Sequence, residues 1–226
     1  MNQTKINVDA ALFDLDGTIL DSIGIYYQII EIVFKRLDIP MPSREKIREA
    51  AKNGDFDWGR LFPENRPKEK DRLIKKTRGI IAEIYPNLFE KRVKLIPEAK
   101  ETLEALSQKG IKLGVVTSTP RQNMTVKLHP LVDSGINNLL EVIIHADDVP
   151  RKKPAPDPLL ECSKRLGILP NDCMYVGDAR TDIQAGKAAG MKTVGVLTGF
   201  DDREALSREN PEAVIDSIAS LKDILV

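Results

Sequence analysis

The sequence predicts an α/β protein: a Rossmann-like parallel sheet with helices on both faces, plus an all-helical cap domain inserted after strand 1. Short apolar runs recur along the chain, and they are continuous rather than alternating, as strands covered on both faces require. From residue 95 onward, amphipathic helical patterns separate these runs, giving the alternation of an open parallel sheet. Between the first run and residue 95 there is helical periodicity and no convincing strand.

Taken in order, VDAALFD (residues 8–14) reads as the first buried strand. DSIGIYYQIIEIVFKRLDI (21–39) and KEKDRLIKKTRGIIAEIYPNLF (68–89) read as long amphipathic helices, with REKIREAAKN (44–53) a shorter one between them. Asp21 is expected to cap the first of these helices. The expected division is a core of residues 1–20 and 95–226 and a helical cap of 21–94. An insertion at that point sits over the carboxyl ends of the strands, where open α/β sheets bind ligands. The core resumes with the helix PEAKETLEALSQKG (97–110) and the strand IKLGVVTS (111–118). LEVIIHAD (140–147), CMYVGD (173–178) and KTVGVLTG (192–199) are further strands, separated by PDPLLECSKRLGI (156–168) and ARTDIQAGKAAGM (179–191), which show three-to-four apolar spacing and glycine near the end. AVIDS adds a short last strand, and IASLKDILV a closing helix.

Lysine plus arginine and aspartate plus glutamate number 34 each, so no global basic field holds nucleic acid or an anionic membrane. No apolar run approaches the roughly 18 residues of a membrane span. The start, MNQTKINVDAALFDLDG, lacks the long apolar stretch of a signal peptide, and the expectation is a cytoplasmic protein. Cys162 and Cys173 are accordingly expected to be reduced core residues. Charge is uneven, however: residues 21–94 carry 17 Lys and Arg against 12 Asp and Glu, a net of +5 that the rest of the neutral chain balances. Such a lid would favour an anionic substrate, unless KEKDR and IKKTR are simply solvated helix faces.

Polar clusters directly follow four of the strands: Asp14 and Asp16, Thr117 and Ser118, Lys153, and Asp178 with Asp182. In a parallel sheet these ends share one edge, so residues distant in sequence converge. Clustered carboxylates need a cation, and an all-oxygen set with few protein ligands suits magnesium. Lysine and hydroxyl groups hold phosphate oxygens. An aspartate can attack phosphorus to form an aspartyl-phosphate, while a second carboxyl group protonates the leaving alcohol and later activates water. His129 and His145 have no partner at ligand spacing.

DLDGT at residues 14–18 resembles the first motif of the haloacid dehalogenase superfamily, and the other clusters resemble its remaining three motifs in order. These are Thr117 ending an apolar strand, Lys153 in RKKPAPDP, and Gly177, Asp178 and Asp182 in VGDARTD. The helical insertion is similar to the cap of the subgroup containing phosphoglycolate phosphatases and β-phosphoglucomutase. The resemblance implies that Asp14 is the nucleophile and a magnesium ligand. It implies that Asp16 is general acid and base, with its backbone carbonyl on the metal. Thr117 and the Ser118 amide would bind phosphate, and Lys153 would pair with phosphate and Asp14. Asp178 would be the second carboxylate on Mg2+, with Asp182 in support or serving only as a helix cap. In the insertion, Trp58 and Arg60 are candidates for substrate contact. The implied substrate is a small phosphorylated metabolite, phosphoglycolate first. A phosphomutase shares all four motifs, and a phospho-acceptor signalling domain is the alternative of a different class. In such receivers, however, the phosphorylated aspartate falls on the third strand, and no helical insertion is present.

Overall fold

A computed structural model describes residues 5–51, 56–62 and 67–225. In chain order the elements are β1 (Ala10–Phe13), β2 (Leu20–Asp21), α1 (Ile23–Arg36), α2 (Arg44–Ala51), α3 (Pro67–Arg92), β3 (Lys94–Leu95), α4 (Ala99–Gln108) and β4 (Lys112–Val116). There follow α5 (Met124–Ser134), β5 (Leu140–Ile144), α6 (Asp157–Leu166), β6 (Cys173–Gly177), α7 (Arg180–Ala188), β7 (Lys192–Val196), α8 (Arg203–Arg208), β8 (Ala213–Ile215) and α9 (Leu221–Ile224).

The main sheet has six strands in the order β5-β4-β1-β6-β7-β8, and every pairing is parallel. The continuous apolar runs are explained by burial on both faces. Ala10 and Leu12 of β1 belong to one hydrophobic cluster with Val116, Leu159, Cys162 and Tyr175. Ala11 and Phe13, pointing the other way, join a second cluster with Val115, Met174 and Val176. That second cluster continues without a break into Ile25, Ile29, Val33 and Phe89 of the helical insertion. Cys162 and Cys173 are buried and free.

The chain order reverses around β1: the strands that follow the insertion first build outward through β4 and β5, and then cross to β6 on the other side. A crevice forms at such a reversal, because the connections on either side lead away to opposite faces. The loops after β1, β4 and β6 border it, and these carry Asp14, Thr117 and Asp178.

Two details differ from the sequence expectation. The insertion is entered and left through a two-stranded antiparallel ribbon, with Leu20 opposite Leu95 and Asp21 opposite Lys94. Strands of two residues carry too short a pattern to be seen in the sequence. Asp21 therefore lies on that ribbon, and the residue before α1 is Ser22, not Asp21. Ser22 does not cap the helix with its side chain either; its hydroxyl donates to Asp16 Oδ1 at 2.7 Å.

Candidate active site

Asp14 directly follows β1, with its backbone N–H still bonded to the Val176 carbonyl of β6 at 2.8 Å. Its position is thus fixed by the sheet. Lys153, from the loop after β5, reaches Asp14 Oδ1 at 2.5 Å and Asp182 Oδ1 at 2.7 Å. The Tyr175 hydroxyl accepts from the same ammonium at 2.9 Å and lies 3.1 Å from the Val116 carbonyl oxygen. Burial opposes the Lys153 charge, but the two carboxylates outweigh it and hold the ammonium well above the usual lysine range.

Asp178 follows β6, and Asp182 lies in the first turn of α7. Asp182 Oδ2 accepts from the Ala179 backbone N–H at 3.0 Å, so this residue both caps α7 and anchors Lys153. Asp178 is buried, and its Oδ2 accepts from the Phe200 N–H at 2.9 Å. Oxygens of Asp14, Asp178 and Asp182 lie within 4.8 Å of one another. Burial, with Asp182 and Asp16 adding and Lys153 opposing, pushes the Asp14 carboxyl up to about 7. Burial, with Asp14 and Asp182 adding and the Phe200 N–H and Lys153 opposing, pushes Asp178 well above its ordinary value. Three buried carboxylates facing one ammonium leave an excess of negative charge, which is the chemistry of a hard-cation site. The donor set therefore fits magnesium, with Asp14 and Asp178 the two carboxylates free of a helix-capping bond.

Asp16 points elsewhere. Its carboxylate accepts from Ser22, from Thr119 at 3.2 Å and from Lys127. Thr117 is buried, with its N–H on the Ile144 carbonyl and its Oγ1 accepting from the Thr119 N–H at 3.1 Å. A cavity of ≈ 260 Å³ opens above these groups, and Asp14, Asp16, Thr117, Ser118, Lys153, Asp178 and Asp182 all line it. Of the eight residues of the α/β core chosen from the sequence, seven share this one cavity. The eighth, Gly177, ends β6 beneath Asp182.

On the insertion side the lining is Tyr26, Ala51, Phe56 and Tyr85, with Phe200 from the core. Trp58 lines a smaller apolar recess of ≈ 90 Å³ that shares Tyr26, Phe56 and Tyr85 with the main cavity. Arg60 does not line either space; it is exposed, with Nε 3.4 Å from Asp57 and Nη1 donating to the Glu49 carbonyl. Among the described residues, no lysine or arginine of the insertion lines the main cavity, and KEKDR and IKKTR lie mainly on exposed faces of α3. Their positive charge is therefore solvated rather than aimed at the site. Lys52, next to Ala51, lies outside the described residues.

Sequence reasoning missed Lys127, Tyr26, Thr119 and Gly199. Lys127 falls between the strands IKLGVVTS and LEVIIHAD, in a stretch that carries no motif. Gly199 carries no signal beyond the end of the apolar run KTVGVLTG.

A model of the haloacid dehalogenase-like hydrolases matches residues 11–196 of the chain. The phosphoglycolate phosphatase of Escherichia coli K12 is 32% identical over 237 residues, covering 95% of this chain and 91% of that protein. The phosphoglycolate phosphatase of Salmonella typhimurium LT2 is also 32% identical, over 236 residues with the same coverage. Among solved structures, a predicted phosphoglycolate phosphatase from Haemophilus somnus 129pt superposes with a TM-score of 0.76 at 25% identity, covering 99% of each chain. A hydrolase from Pseudomonas syringae gives 0.74 at 26% identity, covering 96% of each. With the sheet order, the carboxylate–lysine cluster and these relatives in agreement, the chain belongs to the haloacid dehalogenase-like hydrolases and is a phosphatase.

Proposed function

We propose that the protein hydrolyses a small phosphomonoester through an aspartyl-phosphate on Asp14, with magnesium, and that phosphoglycolate is its first candidate substrate. The observation that carries this reading is the placement of Lys153 between Asp14 and Asp182 at the sheet's crevice. A nucleophile held by an ammonium that also serves phosphate is what phosphoryl transfer needs, since positioning and charge stabilisation supply most of its catalysis. The names of the relatives support the choice of phosphoglycolate.

Asp14 and Asp178, with the Asp16 backbone carbonyl, would hold the magnesium ion. When bound, it supplies positive charge against the carboxylates and the phosphoryl oxygens. The chain's own groups do the rest. Asp14 attacks phosphorus, and Lys153 with Thr117 and the Ser118 amide hold the phosphoryl oxygens. Asp16 gives a proton to the departing alcohol and takes one from the water that cleaves the aspartyl-phosphate. Asp182 holds Lys153 in place and supports the cation site from outside.

Residues 21–94 act as a cap over the core formed by 1–20 and 95–226. The cap's aromatic face closes the cavity above the phosphate, excludes water, and meets the part of the substrate beyond it. The two free, buried cysteines fit a cytoplasmic enzyme.

The test is a panel of phosphomonoesters, including phosphoglycolate, assayed with magnesium and with chelator. Turnover of at least one ester that stops in chelator, with covalent phosphate recovered on Asp14, is expected. No turnover across the panel, or phosphate recovered on another residue, would sink the reading.

A further inference from the structure

Lys127 lies on α5 and has no exposed surface. Its ammonium has three hydrogens to donate, and three acceptors meet it. Tyr26 Oη lies at 2.7 Å, Thr119 Oγ1 at 2.8 Å, and Asp16 Oδ2 completes the set. Each acceptor comes from a different place: Tyr26 from α1, Thr119 from the loop after β4, and Asp16 from the loop after β1. The ammonium also lies 5.3 Å from the Tyr26 ring centroid and 5.0 Å from that of Phe89.

This is a poor way simply to pack α5 against α1. A buried charge is unfavourable unless fully paired, and apolar side chains of similar volume often replace a buried ion pair with no loss of stability. It is, however, an effective way to fix a carboxylate. Ser22 holds Asp16 Oδ1 while Lys127 and Thr119 hold Oδ2, so neither oxygen can turn without breaking a bond.

We propose that Lys127 is a positioning residue for Asp16, and that the Tyr26 hydroxyl ties this position to the cap. The inference rests on the reading of Asp16 as the proton-transfer group. In the first half-reaction the Asp14–phosphorus bond forms, the ester P–O bond breaks, and the Asp16 proton passes to the departing oxygen. In the second, a water oxygen bonds to phosphorus, the Asp14–phosphorus bond breaks, and the water proton passes to Asp16. Lys127 keeps its own protons throughout; it holds the carboxylate at one angle to the cavity for both transfers. Because Tyr26 lines that cavity and sits on the cap, the alignment is complete only with the cap in the position seen here.

The experiment compares Lys127→Met, Asp16→Asn and the double variant in the full chain with magnesium, on aryl phosphates of graded leaving ability and an alkyl phosphate. Lys127→Met is expected to lower kcat roughly 10- to 100-fold for poor leaving groups and much less for good ones, part of the range of acid–base catalysis. KM should change little. In the double variant Lys127→Met should add nothing to Asp16→Asn, because it acts only through that residue. Tyr26→Phe keeps the ring and should steepen the dependence on leaving group in the same direction by less. It also carries the test if Lys127→Met folds poorly. Unchanged or uniformly lowered rates in Lys127→Met, effects additive with Asp16→Asn, or an unaltered slope in Tyr26→Phe would each overturn the proposal. Uniform losses in Asp16→Asn itself would instead remove the reading on which it rests.

Discussion

A Cβ built on Gly199 would fall 1.7 Å from Oδ2 of Asp178, so the turn after β7 closes on that carboxylate with no room for a side chain. Gly17 approaches the same oxygen from the loop after β1, where a Cβ would lie at 2.8 Å and the backbone has φ +77°. Asp178 is thereby clamped between two glycines while the Phe200 N–H holds it. Gly199→Ala must displace the carboxylate or the turn. We expect it to weaken magnesium activation and lower kcat at least roughly 10-fold, with a destabilisation of about 1–3 kcal/mol as in other overpacked sites. Gly24→Ala, with open space around it on α1, is the control and should cost neither. Titrating activity with magnesium in both variants checks this, and a fully active Gly199→Ala would refute the clamp.

The two aspartates of DLDGT should fail differently. Asp14→Asn removes the proposed nucleophile, so quenched reactions should contain no covalent phosphate. Asp16→Asn keeps the attack and should lose roughly 10²–10⁴-fold, less for esters whose leaving group needs no proton. Rapid quench and a leaving-group series separate the two, and identical behaviour would mean that Asp16 has no part in proton transfer.

Stability without cation should depend on pH. Burial raises the Asp14 carboxyl from 3.8 to about 7, so the folded protein without cation binds a proton there that the unfolded chain has released. That contribution is complete below pH 3.8 and is lost as pH rises through about 7. In chelator, Tm should therefore fall between about pH 4 and pH 7 relative to Asp14→Asn, which lacks the titrating group. Magnesium should raise Tm most at the upper end, since on the proposed reading it would bind the ionised carboxylates of the folded state. Parallel melting curves for the two proteins across this range would contradict the assignment.

Specificity should divide between core and cap. Lys153→Ala removes the proposed phosphate partner common to every ester and should lower kcat/KM for all of them alike, about 10²-fold or more. Trp58→Ala or Tyr85→Phe, altering the apolar recess and cavity roof, should re-rank substrates and leave inhibition by inorganic phosphate nearly unchanged. Arg60→Ala should re-rank them less than Trp58→Ala, given its contacts with Asp57 and Glu49. Profiles of kcat/KM over several esters decide, and a Lys153 variant that re-ranked them would break the division.

What the sequence by itself determined was the sheet and its edge. Apolar runs covered on both faces announce parallel strands, and a chain of such strands must bring Asp14, Thr117, Lys153 and Asp178 to one side, whatever the details of packing. Those residues are legible because their position depends on local pattern alone. Tertiary structure decided what local pattern cannot express. Lys127 meets Asp16 across more than a hundred residues, and Gly199 meets Asp178 from the turn after a neighbouring strand; neither pair has a spacing that periodicity could reveal. The two-residue ribbon that displaced the expected cap at Asp21 is likewise visible only as a pairing between distant segments. The net charge of the insertion left two readings open for the same reason. Composition counts its lysines and arginines, but only packing decides that KEKDR and IKKTR lie mainly on exposed faces and that Tyr26, Phe56 and Tyr85 face the cavity.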